Sequence, residues 1–186
     1  MGKLYFRYGA MGSSKTANLL MVAHNYESQG KKVLLLKPNI DDRFGKDVIK
    51  SRCGLEKNAN IILDNDYNLL NNGIDYACYE CLLVDEAQFL TTTQVEQLRI
   101  ITNTTAVICY GIRTSYTSEL FPGSKRLLEL ADTIEEIKTT CNFCNKKATI
   151  NGKFQDGHLI KNGSSIIDIG GDEKYISLCW FCWYNK

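Results

Sequence analysis

The sequence predicts an α/β fold: a mostly parallel sheet flanked by helices, followed by a small C-terminal appendage. Two observations predict the sheet. The apolar runs at 33–36, 81–84 and 106–109 are continuous rather than alternating, as in strands covered on both faces. Helical spacing separates them, at 15–28 and 91–101. A third observation predicts the appendage: from Cys141 onward the chain turns loose in Gly, Asn, Asp and Lys and carries four cysteines. At 186 residues the chain suits about one domain plus such an addition. The expected division is 1–140 for the core and 141–186 for the appendage.

In chain order, Leu4-Tyr5-Phe6-Arg7-Tyr8 reads as a short strand running into Gly9. The helix over 15–28 carries Leu19, Leu20, Val22 and Ala23 and stops at Gly30. Pro38 closes the strand at 33–36, and the charged stretch 39–58 reads as a loop with little regular structure. Residues 60–63 form another short strand, and the strand at 81–84 ends in Asp85-Glu86. The helix over 91–101 turns Val95, Leu98 and Ile101 to one side, and 106–109 is a fourth buried strand.

Composition excludes several classes. Hydrophobic residues make up 44% and charged residues 23%, ordinary globular usage rather than disorder. With 22 basic against 21 acidic side chains the net charge is +1, which leaves no overall footprint for nucleic acid. No run approaches the roughly 18 apolar residues of a membrane span. Arg7 breaks the first apolar patch, and Phe6 stands where a myristoylation motif needs Ser or Thr. The expectation is a cytoplasmic protein with reduced cysteines and no membrane partner.

Gly9-Ala10-Met11-Gly12-Ser13-Ser14-Lys15-Thr16 follows a strand and opens a helix. It fits G-x-x-x-x-G-K-[ST] except that Ser14 stands at the second glycine. Such a loop converges backbone N–H groups on phosphate, brings a lysine to its oxygens and offers a hydroxyl to Mg²⁺. The blander alternative is a small-residue turn capped by serine. Asp85, at the end of a buried strand some seventy residues after Lys15, is where such proteins hold Mg²⁺. Glu86 beside it is placed to accept a proton from a hydroxyl or a water.

Eight cysteines include three Cys-x-x-Cys pairs. Cys141/Cys144 and Cys179/Cys182 lie in the appendage, and four thiolates suit a closed, structural zinc site. With every coordination position taken by protein, that zinc anchors chain rather than activating water. It would tether 145–178, whose Gly163, Gly170 and Gly171 let backbone approach a ligand. Cys78/Cys81 has no companion pair, and Cys53 and Cys109 are single; these four are read as reduced thiols, Cys109 in the core. His24 and His158 are packing or surface residues, so histidine-based catalysis has no support.

In order and spacing, several motifs resemble the type II thymidine kinase family. They are the Gly9–Thr16 loop, Asp41-Asp42-Arg43-Phe44-Gly45 with Ser51-Arg52, and Val84-Asp85-Glu86-Ala87-Gln88-Phe89. Cys109-Tyr110-Gly111-Ile112-Arg113-Thr114, Leu120-Phe121, Ala131-Asp132, Ile169-Gly170-Gly171 with Tyr175, and the two tail cysteine pairs complete the match. The resemblance implies a P-loop, RecA-like core with a C-terminal lasso held by zinc. It implies transfer of the γ-phosphoryl of ATP to the 5′-hydroxyl of thymidine, giving thymidine monophosphate and ADP.

Carried onto this chain, the resemblance makes Glu86 the base, and Gly9 through Thr16, Asp85 and Gln88 the ATP site, with Thr16 and Asp85 holding magnesium. Met11, Phe89, Ile112, Tyr116, Phe121, Ile169, Gly170 and Tyr175 would surround the thymidine, with Arg113 a cation on the phosphate side. Cys141, Cys144, Cys179 and Cys182 would hold the zinc. A homotetramer with feedback inhibition by thymidine triphosphate is implied too. Ser14 departs from the family's usual glycine, and Tyr116 from its commoner phenylalanine. Two other readings compete: a P-loop ATPase whose zinc ribbon acts on nucleic acid, and a nucleotide sensor without turnover.

Overall fold

The computed structural model describes residues 1–41, 44–163 and 174–186. The central sheet is built from β1 (Leu4–Tyr8), β2 (Val33–Pro38), β5 (Ile61–Leu63), β6 (Cys81–Val84), β7 (Ala106–Gly111) and β8 (Thr133–Glu136). Its order is β5-β2-β6-β7-β1-β8, and every neighbouring pair is parallel. β6 is buried along its whole length because helices and loops cover both faces.

Three helices flank this sheet: α1 (Lys15–Ser28), α2 (Thr92–Ile101) and α3 (Pro122–Leu130). α1 buries Leu19, Leu20 and Ala23 against Leu35, Leu83 and Ile108 on one face of the sheet. On the other face Val95, Leu98 and Ile101 of α2 pack with Leu127 of α3 over Leu82, Val84 and Val107. Thr91 and Gln94 start α2 with a reciprocal capping box.

The described part of the stretch 39–58 holds more regular structure than its composition predicts. β3 (Val48–Lys50) and β4 (Glu56–Asn58) pair antiparallel. Buried Ile49 packs with the α1 side of the core, and the Lys37 ammonium donates to the Gly45 and Val48 carbonyls. These are long-range contacts, invisible to a local pattern. α3 and β8 also lack a clear signal: α3 opens on Pro-Gly-Ser, and edge strand β8 is only partly buried.

The tail is not simply a loop. β9 (Ile150–Gln155), β10 (His158–Ile160) and β11 (Tyr175–Leu178) form an antiparallel sheet in the order β10-β9-β11. α4 (Trp180–Tyr184) follows. Among the described residues no helix is long and apolar enough to cross a membrane.

Candidate active site and four-cysteine centre

Parallel strands deliver their carboxyl ends to one edge, where α/β proteins bind ligands. β1 runs out at Tyr8 into the Gly9–Thr16 loop, β6 into Asp85-Glu86, and β7 into Ile112-Arg113. The ladder continues past the strands: Gly9 N–H donates to the Gly111 carbonyl and Asp85 N–H to Leu36.

The loop is a compact turn. Ser13 N–H donates to the Ala10 carbonyl at 3.2 Å, and Gly12 (φ 73°) and Ser14 (φ 62°) are both left-handed. Gly12 adopts that conformation freely, whereas Ser14 does so at a cost of about 1 kcal/mol. The Ser14 side chain makes no capping bond, so the serine-capped turn is not what forms here. The Lys15 ammonium lies back across the loop, 3.1 Å from the Gly9 carbonyl, 2.9 Å from Ala10 and 3.4 Å from Ser13 Oγ.

Thr16 Oγ1 lies 3.2 and 3.1 Å from the two carboxylate oxygens of Asp85. Burial and the adjacent Glu86 carboxylate push the Asp85 carboxyl up to about 7, against the Thr16 hydroxyl and the Glu86 N–H. Asp41, beyond β2, adds to the negative field. Its partner is Lys37, 3.5 Å away and buried in the sheet. The Lys37–Asp41 contact was not anticipated, because a lysine inside an apolar strand has no sequence signature of pairing.

Glu86 has φ 48°, unusual for a residue with a side chain, and begins the 3-10 turn Ala87–Phe89. Its Oε2 accepts from Gln88 Nε2 at 2.5 Å, and Gln88 Oε1 in turn accepts from the Ile112 N–H at 3.0 Å. Gln88 is buried and ties the Glu86 carboxylate to the end of β7. The aromatic residues form two pairs: Phe89 with Phe121 edge-on at 5.8 Å, and Tyr116 with Tyr175 at 6.4 Å. A Cβ at Gly163 would collide with the Tyr116 hydroxyl, so the tail chain passes close to that ring. Arg113 lies over Tyr8 at 5.7 Å, beside a small polar cleft that Gly9 and Asn151 also line. Ile169 and Gly170, like Asp42 and Arg43, fall outside the described residues.

Met11 is held from the tail. Its N–H donates to Asn151 Oδ1 at 2.7 Å, and its carbonyl accepts from the Ser177 hydroxyl. Nothing in the sequence pointed to Asn151 or Ser177.

Cys141, Cys144, Cys179 and Cys182 converge, all four sulfurs lying within 4.8 Å of one another. Cys144 Sγ is 3.6 Å from Cys179 Sγ and 3.7 Å from Cys182 Sγ. A tetrahedron with Zn–S bonds of about 2.3 Å has edges of about 3.8 Å, so this set fits zinc. Burial opposes the Cys141 thiolate, but N–H groups around it, those of Phe143 and Cys144 among them, bring its pKa down to about 6. Burial and hydrogen bonds to the other three thiols push Cys182 up to about 12. Cys81 and Cys109 are buried in the core, while Cys53 and Cys78 are exposed. His24 and His158 are both exposed.

A parallel sheet with a phosphate-type loop and an acidic strand end defines a nucleotide-binding P-loop protein, here with a four-cysteine centre attached. The thymidine kinase family model matches residues 2–183, and the chain belongs to that family. It is 43% identical to a thymidine kinase of Chromobacterium violaceum over the full length of both chains. Another, from Streptococcus thermophilus, is 43% identical across all of this chain and 95% of its own. One from Francisella tularensis is 42% identical across 98% and 97%. The chain is thus an ATP-dependent nucleoside kinase.

Proposed function

We propose that this chain transfers the γ-phosphoryl of ATP to the 5′-hydroxyl of thymidine, giving thymidine monophosphate and ADP. Support comes above all from one juxtaposition: Thr16 touches Asp85 while the next residue, Glu86, is held by Gln88 at the same sheet edge. The loop amides other than that of Met11, which donates to Asn151, bind the ATP phosphates together with Lys15, with Asp85 and Gln88 completing the ATP site. Thr16 and Asp85 would hold magnesium, which when bound neutralises charge on the phosphoryl oxygens. The Glu86 carboxylate takes the 5′-hydroxyl proton as that oxygen bonds to the γ-phosphorus and the bond to ADP breaks.

Met11, Ile112, the two aromatic pairs, Ile169 and Gly170 enclose the nucleoside, and Arg113 serves as a cation on the phosphate side. The four cysteines hold a structural zinc that anchors the tail of a subdomain spanning 141–186, behind a core of 1–140. The enzyme acts in the cytoplasm as a homotetramer and is inhibited by thymidine triphosphate, with no nucleic-acid or membrane partner.

A nucleoside panel with ATP, read as monophosphate formed, tests this. Thymidine is expected to be phosphorylated. ADP release that ignores thymidine and rises with single-stranded DNA would overturn it.

A further inference from the structure

We propose that Asn151 and Ser177 are positioning residues that latch the cysteine-anchored sheet to the phosphate loop through the backbone of Met11. They are direct register partners across β9 and β11. Both are buried, at 4% and 6% exposure. Asn151 accepts from the Met11 N–H, and Ser177 donates to the Met11 carbonyl. A cross-strand pair therefore takes both polar groups of one loop residue, from 140 and 166 positions away in sequence. Asn151 Nδ2 also donates to the Thr114 carbonyl at 3.4 Å, two residues before Tyr116. One side chain thus joins the phosphate loop, the segment carrying Tyr116 and the tail sheet.

The consequence is physical. Met11 lies inside the turn that Ser13 and Ala10 close, next to left-handed Gly12. Phosphate binding needs the loop's amides aimed in fixed directions. The latch commits the Met11 amide to Asn151 and fixes the plane of the peptide after it through Ser177. Anything that shifts the tail sheet shifts the loop. ATP affinity and nucleoside binding are therefore coupled, and the coupling is reciprocal. Only this last consequence rests on the kinase reading above.

The test titrates MgATP, with no nucleoside present, into wild type, Ser177→Ala, Ser177→Thr and Asn151→Ala. Metal content and thermal midpoint are measured on each. Losing one buried hydrogen bond should weaken ATP about three- to tenfold in Ser177→Ala and Asn151→Ala. The nucleoside KM should rise as well, with kcat within about threefold. Ser177→Thr keeps the hydroxyl and should stay within about twofold of wild type in both. ATP affinity unchanged in Ser177→Ala, or lost equally in Ser177→Thr, overturns the latch. If Asn151→Ala does not fold, the Ser177 pair decides alone. Because the ATP titration contains no nucleoside, a wild type inactive on thymidine would remove the substrate reading and leave the latch to be judged separately.

Discussion

Glu86 stands in a left-handed backbone conformation with its carboxylate held by Gln88. Such a conformation costs about 1–3 kcal/mol and persists where the surroundings over-determine it. Here the 3-10 turn and the Gln88 bridge to Ile112 do so. Glu86→Gln preserves size while removing the proposed base, so ATP binding should stay near wild type and kcat should fall by about 100-fold or more; a titration and a turnover assay separate the two.

Asp85 supports a prediction about pH. Its raised pKa means that the folded, metal-free chain holds a proton which the unfolded chain has lost, from the ordinary carboxyl value of 3.8 up to about 7. That contribution to stability is present at acid pH and disappears as pH rises through about 7. Asp85→Asn should melt higher than wild type at alkaline pH without metal, and the gap should narrow as pH falls from about 7 towards 3.8. Thermal melts across that range, in chelator, check the sign.

Among the elements, α3 and the turn at Ala87–Phe89 interlock. A Cβ on Gly123 would lie 2.6 Å from the Ala87 carbonyl oxygen, 2.7 Å from Leu90 and 2.9 Å from Gln88. All three are backbone atoms and cannot rotate away. The glycine lets α3 start against the turn that carries Gln88 and Phe89, with Phe121 at its N-cap meeting Phe89. Gly123→Ala should cost about 1–3 kcal/mol of stability and lower kcat by disturbing Gln88; a denaturant melt beside a rate measurement would show both losses. The apolar strands were legible because burial on both faces leaves a continuous run. The β3–β4 pair was not, since Ile49 packs against residues far away in the chain.

Over the whole molecule, the four-cysteine centre and the sheet edge form one mechanical system. The cysteines flank β9 and β11, and those strands carry Asn151 and Ser177 to Met11. Cys141→Ser should abolish tight zinc binding and raise the nucleoside KM by about tenfold or more. ATP affinity should fall by a smaller factor, because the loop keeps its own turn and only its latch weakens. Metal analysis with the two titrations checks the order of the losses, and equal losses would argue against the anchoring role.

By themselves the residues determined the class of fold, a glycine-lysine loop between strand and helix, the acidic strand end and the two cysteine pairs that converge. Each is a local pattern: a run of apolar residues, a spacing of glycines and a lysine, a Cys-x-x-Cys pair. Only the tertiary structure decided that Gln88 holds Glu86, that Lys37 pairs with Asp41, and that Asn151 and Ser177 grip Met11. The physical reason is the same in each case. A neutral amide, a hydroxyl or a single buried cation carries no periodicity, and it acquires a role only when folding removes water and leaves particular partners within hydrogen-bond reach.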